Sequence, residues 1–168
     1  MKSKILISAC LMGFRVRYNG SDKLSDLDAL EQLRKENRLV VFCPEQAAGL
    51  PTPRLPAEIS GGEGEDVLTG SAVILESDGN DVTAVYLKGA TEALKTAQRS
   101  GCRFALLTDG SPTCGSQTIY RGDFSGQQIN GNGVATALLR RHGIEVFSEQ
   151  QITQLIARVA ADDTTPTT

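Results

Sequence analysis

The chain has 168 residues, of which 40% are hydrophobic and 22% are charged, and its formal net charge is −3 at pH 7. This length suits one domain, and the composition is that of a soluble globular protein. The slight negative charge excludes a bulk basic field for long nucleic acid, and no apolar segment approaches the roughly 18 residues that a membrane span requires. Without a cleavage-site pattern at the N-terminus, the protein is expected to be cytoplasmic.

Strand-like apolar runs alternate with helical patterns along the chain. Short apolar runs predict four strands, at residues 4–9, 39–42, 104–108 and 144–147. Apolar positions at helical spacing predict four helices, at residues 25–37, 82–99, 134–142 and 148–161. This alternation predicts an α/β fold with a single-domain, parallel, doubly wound sheet of the Rossmann or flavodoxin type, with helices on both faces. The domain is expected to occupy residues 1–161, followed by a disordered tail at residues 162–168.

Segments rich in glycine and proline separate these elements. Residues 11–20 predict a loop across the edge of the sheet. Residues 44–59 hold four of the six prolines and predict a functional loop, because so many prolines exclude one regular element. Residues 61–66 are expected to be flexible and exposed, and residues 67–75 to be extended. Residues 119–133 predict a second glycine-rich loop.

Three of the four cysteines follow the ends of predicted strands. Cys10 and Cys43 follow the first two strands, and Cys114 lies in the motif Ser-Pro-Thr-Cys-Gly that begins at Ser111 after the third. Because parallel strands end at one edge, where open α/β folds bind their ligands, the three thiols are expected to meet there. Cys102 begins the third strand at the opposite end and is predicted to be a packed residue.

The spacing of the cysteines limits their chemistry. None belongs to a Cys-x-x-Cys pair, so neither a zinc ribbon nor a thioredoxin-type redox couple is indicated. Three ligands from separate loops suit a metal or cluster with one position left for substrate. The sole histidine, His142, is predicted to be a surface residue. The residues alone therefore leave two interpretations open: a metal or cluster site, or three strand-end cysteines that pack without a shared role.

Six short motifs cover nearly the whole chain in a fixed order. They are residues 8–13 (SACLMG), 17–20 (RYNG), 43–45 (CPE), 49–54 (GLPTPR), 111–115 (SPTCG) and 131–134 (GNGV). In sequence and order they resemble the DUF523 family, whose characterised members are thiouracil desulfidases. The resemblance implies a 4Fe-4S cluster held by Cys10, Cys43 and Cys114, with one iron not bound by protein. It also implies catalytic roles for Glu45 and Ser111.

Two departures from the family pattern bear on the ligands and the substrate. Many members carry a further cysteine in the first loop, where this chain has Val16, and this supports three cysteine ligands. Larger relatives have an extra C-terminal domain and are linked to thiolated RNA, and this chain is expected not to have that domain. The expected substrate is therefore a small thiolated pyrimidine, as a free base or nucleoside derivative. The sequence does not indicate an oligomeric state.

The resemblance implies a non-redox desulfuration to uracil and sulfide. An open iron would act as a Lewis acid toward the thiocarbonyl sulfur, Glu45 as a general base toward water, and Ser111 would orient the substrate or relay a proton. The alternative is an iron–sulfur protein with an electron-transfer or redox-sensing role. A third interpretation is a thiol-dependent transferase that uses Cys114 as a covalent nucleophile without iron.

Overall fold

The structure, a computed structural model, describes residues 3–8, 24–49, 55–108 and 110–164, without the side chains of residues 24–27, 45 and 46. In chain order, its strands and helices are β1 (Lys4–Ser8), α1 (Leu24–Lys35), β2 (Leu39–Phe42), α2 (Pro44–Ala47), β3 (Ala57–Ser60), α3 (Gly64–Thr69), β4 (Val73–Glu76), α4 (Thr83–Ser100), β5 (Cys102–Leu107), β6 (Thr118–Tyr120), β7 (Gln128–Asn130), α5 (Val134–Arg141), β8 (Glu145–Ser148) and α6 (Ile152–Thr164). They alternate as the sequence predicts for an α/β protein.

The central sheet is parallel, with the strand order β2-β1-β5-β8. These are the four strands that the sequence predicts. Ser8 pairs with Phe42 of β2, and Ile7 pairs with Leu106 of β5, so the carboxyl ends of β2, β1 and β5 are nearly level. The chain moves to one side of β1 for β2 and to the other side for β5. The boundary between β1 and β5 is therefore the switch point at which sheets of this type bind their ligands.

Helices cover both faces of the sheet, because successive strand residues point to opposite sides. On one face, β1 and β5 pack with α1 and α6 through Ile5, Ile7, Leu30, Phe104, Leu106 and Leu155. On the other face, they pack with α4 and α5 through Leu6, Ala93, Ala97, Ala105, Leu107 and Leu139. The predicted doubly wound arrangement, with helices on both faces, is thus confirmed.

The segment between the sheet strands β2 and β5 differs from the prediction. Residues 61–66 are not wholly an exposed linker, since α3 begins at a buried Gly64. The extended prediction for residues 67–75 is wrong for its first part, where Val67 is buried in α3, and right for β4. Glu63 and Asp66 form a capping box that starts this short helix, and Gly70 ends it in the left-handed conformation.

Two antiparallel hairpins lie outside the central sheet. β3 pairs with β4, and β6 pairs with β7. All but the first residue of the second hairpin lies within residues 119–133, which the sequence predicts as a loop. Its strands have three residues each, too few to show a period of two against the glycines around them. The buried carboxylate of Glu58 in β3 accepts hydrogen bonds from the N–H groups of Gly122 (2.9 Å) and Phe124 (3.1 Å), which holds the hairpin tip against β3.

The last helix continues beyond its predicted end near residue 161. Asp163, in the last turn of α6, accepts a hydrogen bond from the buried Arg38 guanidinium at 2.8 Å. Arg38 also donates to the Ser3 carbonyl at 2.8 Å, so this contact ties α6 to the start of β1. Residues 165–168, part of the predicted tail, lie outside the described residues. No helix in the described ranges is long and apolar enough to cross a membrane.

Candidate cofactor and active site

The carboxyl edge of the sheet carries two of the three cysteines that the sequence singles out, Cys43 and Cys114. β1 ends at Ser8, two residues before Cys10, which lies outside the described residues. Cys43 follows β2 directly and is half-buried. Because Ser8 and Phe42 are paired, the chain leaves β1 toward Cys10 at the level where Cys43 leaves β2.

Cys114 reaches the same edge from the other side of β1. It lies in the loop after β5, is 5% exposed, and belongs to the buried cluster that contains Leu6 and Leu107. Leu6 and Leu107 lie on the sheet face covered by α4 and α5. Cys114 therefore lies at the carboxyl edge, on that face, next to the switch point between β1 and β5.

Ser111 organises the loop that carries Cys114. Its hydroxyl oxygen accepts hydrogen bonds from the N–H groups of Thr113 (3.0 Å) and Cys114 (3.1 Å). The Gly115 N–H donates to the Ser111 carbonyl at 3.0 Å. A serine that binds backbone groups two and three residues ahead closes a tight turn. The turn fixes the backbone at Cys114.

The beginning of α5 holds this loop in place. The N–H groups of Val134 and Ala135 donate to the carbonyls of Pro112 (2.8 Å) and Thr113 (2.9 Å). The hydroxyl of Thr136 donates to the Cys114 carbonyl at 3.0 Å. The bonds from Val134 and Ala135 satisfy two N–H groups of the first helical turn, which have no partner within a helix. The cysteine loop and the helix thus form one hydrogen-bonded unit.

Two glycines permit this close approach. A Cβ atom on Gly133, just before α5, would collide with the carbonyl group of Thr113. A Cβ atom on Gly115 would collide with the Thr118 carbonyl oxygen. Both contacts are with backbone, which cannot swing away as a flexible side chain can. The glycines of the motifs SPTCG and GNGV therefore have a packing role beside Cys114.

The other side of the edge is formed by Cys43 and α2. The Ala47 N–H donates to the Cys43 carbonyl at 3.0 Å, so Cys43 is the N-cap residue and Pro44 occupies the first helical position. Pro44 is buried against Gly89 of α4. Glu45 is the second residue of α2, two positions after Cys43, and its side chain lies outside what the structure describes.

Two buried hydroxyl groups flank the cysteine positions. Ser8 is 3% exposed and Thr113 is fully buried. Among the described residues, neither hydroxyl oxygen has a hydrogen-bond partner. A buried polar group without a partner costs about 1–3 kcal/mol. Sequence reasoning did not single out either residue, although both belong to the motifs that contain Cys10 and Cys114.

The residues of this edge fit an iron–sulfur cluster. Thiolates are the ligands that such clusters use, and the buried Ser8 and Thr113 hydroxyls are suited to donate hydrogen bonds to sulfur. Within the described ranges no three histidine, cysteine or carboxylate side chains gather into a metal site. A three-cysteine ligand set depends on Cys10 in addition to Cys43 and Cys114.

Two other residues lie away from this edge, as predicted. Cys102 is buried at the amino end of β5, where burial raises the pKa of its thiol to about 11 against a smaller opposing effect of Lys4. Its high pKa makes this thiol a poor nucleophile at neutral pH. His142 is exposed at the end of α5, with Nδ1 3.0 Å from the Leu138 carbonyl oxygen.

Comparison with known proteins identifies the family. The sequence model of the 2-thiouracil desulfurase family matches residues 5–151. The chain belongs to this family. The predicted resemblance to DUF523 proteins is thereby confirmed, and the matched range of the 2-thiouracil desulfurase family includes all five predicted site residues: Cys10, Cys43, Glu45, Ser111 and Cys114.

Two relatives within this family match almost end to end. The protein named "Uncharacterized protein YbbK" of Bacillus subtilis (strain 168) is 45% identical over 152 residues, which are 90% of this chain and 99% of that protein. A solved structure named "[4Fe-4S]-dependent thiouracil desulfidase TudS", a DUF523 protein, is 43% identical. Its TM-score is 0.78, and the match covers 95% of this chain and 99% of that chain.

Proposed function

We propose that this protein removes sulfur from thiouracil, or from a related small thiolated pyrimidine, to give uracil and sulfide. The observation that carries the proposal is the match, over 95% of the chain, to a solved structure named as a [4Fe-4S]-dependent thiouracil desulfidase. The position of Cys43 and Cys114 on one sheet edge supports it. A cytoplasmic location, where thiols stay reduced, would suit such a site.

Cys10, Cys43 and Cys114 would hold a 4Fe-4S cluster with one iron that has no protein ligand. When bound, the cluster would supply a Lewis-acidic iron for the soft thiocarbonyl sulfur. Cys43 is held by the turn into α2, and Cys114 by the bonds between its loop and α5. The backbone at both proposed ligand positions is therefore held by hydrogen bonds that need no substrate.

Ser111 would donate a hydrogen bond to the substrate. Its oxygen already accepts two backbone N–H groups, from Thr113 and Cys114, so its hydroxyl proton is the part available for a further bond. A half-buried hydroxyl held in this way is preorganised as a donor. It would orient a ring nitrogen or oxygen of the pyrimidine, or pass a proton to the departing sulfur.

Glu45 would act as the general base. It lies in the short helix that starts immediately after Cys43, and the packing of Pro44 against Gly89 fixes that helix on α4. A carboxylate there would take a proton from the water that attacks the ring carbon. The overall change, C=S plus H₂O to C=O plus H₂S, transfers no net electrons.

The decisive experiment is turnover by protein reconstituted with iron and sulfide under anaerobic conditions. We expect loss of the ultraviolet thione absorption of thiouracil, with one sulfide released per uracil formed and no added reductant or electron acceptor. Protein without iron is the control and should be inactive. Turnover that required a reductant would support a redox role instead, and turnover without iron would support a cysteine-based transferase.

A further inference from the structure

We infer, building on the proposed function and its cofactor, that Ser8 and Thr113 are positioning residues whose hydroxyl groups donate hydrogen bonds to sulfur atoms of the cluster or of its cysteine ligands. Ser8 ends the strand that leads to Cys10, and Thr113 directly precedes Cys114. The two hydroxyls therefore lie on either side of the switch point between β1 and β5.

The lack of a hydrogen-bond partner distinguishes these two hydroxyls from other buried hydroxyls nearby. Thr136 is as fully buried as Thr113, and its hydroxyl donates to the Cys114 carbonyl. Ser148 is also fully buried, and its hydroxyl oxygen is bonded to Gln117 and to the Gln150 N–H. The hydroxyls of Thr136 and Ser148 thus have protein partners. Among described residues, those of Ser8 and Thr113 lack one.

The pleat of β1 gives the direction of Ser8. Residues two apart on a strand share a face, so Ser8 lies on the same face as Leu6. Leu6 packs in one cluster with Leu107 and Cys114. Ser8 therefore lies on the Cys114 side of the sheet, at the edge that carries Cys43 and Cys114.

Three backbone N–H groups of the Cys114 loop already have acceptors, so hydroxyl groups are the suitable donors to sulfur. The N–H groups of Thr113 and Cys114 both donate to the Ser111 hydroxyl oxygen, and the Gly115 N–H donates to the Ser111 carbonyl. These three N–H groups are used within the turn. Another buried unpartnered atom at this edge, Asn132 Oδ1, is an acceptor and would not donate to a negatively charged sulfur.

Hydrogen bonds to cluster sulfurs have a measurable electronic effect. They stabilise the more negative, reduced state and so raise the reduction potential. They also compensate the negative charge of the thiolates, which strengthens retention of the cluster. Loss of either hydroxyl should therefore shift the potential to a more negative value and speed iron loss.

The test compares Ser8→Ala and Thr113→Val with the control Ser148→Ala in the reconstituted protein. Reduction potentials come from redox titration followed by electron paramagnetic resonance, and iron loss is timed with a chelator. We expect more negative potentials and several-fold faster iron loss in Ser8→Ala and Thr113→Val, with additive shifts in the double variant. Ser148→Ala should keep the wild-type potential, because its hydroxyl is bonded to Gln117 and to the Gln150 N–H. Thr113→Ser, which keeps the hydroxyl, should restore it.

Wild-type potentials in both Ser8→Ala and Thr113→Val would overturn the inference, as would an equal shift in Ser148→Ala. Ser8→Ala removes a single oxygen atom and decides the question if Thr113→Val does not fold. A wild-type protein that binds no cluster would overturn both this inference and the proposed cofactor. A cluster-loaded protein that leaves thiouracil intact would reject the proposed activity alone, because the potentials are measured without substrate.

Discussion

Ser111 combines a structural and a chemical role in one hydroxyl group. Ser111→Ala removes the acceptor of two N–H bonds, which should lower the free energy of unfolding by about 1–2 kcal/mol. It also removes the proposed donor, so we expect kcat per bound cluster to fall by roughly 10²–10⁴-fold. Ser111→Thr keeps both functions and should retain most activity. Wild-type kcat in Ser111→Ala would leave the residue with only its role in the turn.

Glu45 is tested by a substitution that preserves its shape. Glu45→Gln cannot accept a proton, so we expect about 10²–10⁴-fold lower kcat with unchanged iron content. The matched control is Glu65→Gln, at an exposed carboxylate in α3 that pairs with Arg141 at the end of α5. That control should have normal activity. Equal activity in the two variants would exclude Glu45 as the general base.

The cysteines divide by their place on the sheet. Cys10→Ser, Cys43→Ser and Cys114→Ser should each lose most of the iron after anaerobic reconstitution, because serine is a poor ligand for this cluster. Cys102→Ser, at the opposite edge of the sheet, should retain it. Iron analysis and the visible spectrum measure the outcome. Loss of iron from Cys102→Ser equal to that of the other three would refute the ligand assignment.

The raised pKa of the buried Cys102 thiol should be visible in its alkylation. Burial raises the thiol pKa from an ordinary value of 9.0 to about 11, so folding favours the neutral thiol. The stability that this preference contributes is present below pH 9 and is lost as the pH rises through 11. Cys102 should therefore resist alkylation at pH 8 in the folded protein and react on unfolding. Mass spectrometry of the labelled peptide reports both states.

Among the strands and helices, the sequence patterns correctly predicted those elements whose structure is decided by burial alone. The four strands of the sheet are short apolar runs covered by helices on both faces, and such runs are visible in the sequence. The prediction for residues 67–75 was wrong in its first part because a helix of six residues depends on its caps and its packing, rather than on a period of apolar residues. The sequence did not predict β6 and β7, because these strands depend on pairing with each other and on the contact of Glu58 with the hairpin tip.

The sequence predicted only part of the candidate site. Strand ends placed Cys43 and Cys114 on one edge, since parallel strands must end together. The unpartnered hydroxyls of Ser8 and Thr113 could not be predicted, because burial and missing partners are properties of the packed structure. Neither could the bonds from α5 to the Cys114 loop, which join segments about twenty residues apart.

The contact between α5 and the cysteine loop predicts a glycine requirement. Gly133→Ala should collide with the Thr113 carbonyl, lower the free energy of unfolding by about 1–3 kcal/mol and reduce iron content. Gly143→Ala is the control, because Gly143 has φ 81° and no atom within 4 Å of its missing Cβ. It should cost about 1–2 kcal/mol through backbone strain and leave iron content normal. Equal iron content in both variants would mean that the loop tolerates displacement.

Across the whole molecule, the two edges of the sheet have separate tasks. The carboxyl edge carries the cysteine loops, and the amino edge is closed by Arg38, which bonds the Ser3 carbonyl and the Asp163 carboxylate. The lengths of β1 and β5, five and six residues, set these edges a strand length apart. Changes at the amino edge should therefore alter stability without altering the chemistry.

Asp163→Asn tests this separation. The buried Arg38 guanidinium would lose its carboxylate partner at 2.8 Å and keep the one at 3.4 Å, Glu36. We expect the free energy of unfolding to fall by about 1–3 kcal/mol in denaturant titration. Glu145→Gln breaks an exposed pair with Arg158 and should cost under about 1 kcal/mol. Both variants should keep wild-type iron content and kcat/KM at temperatures below unfolding. A loss of iron in Asp163→Asn while the protein remains folded would show that the two edges are coupled through the sheet, since Arg38 directly precedes β2 and bonds the residue before β1.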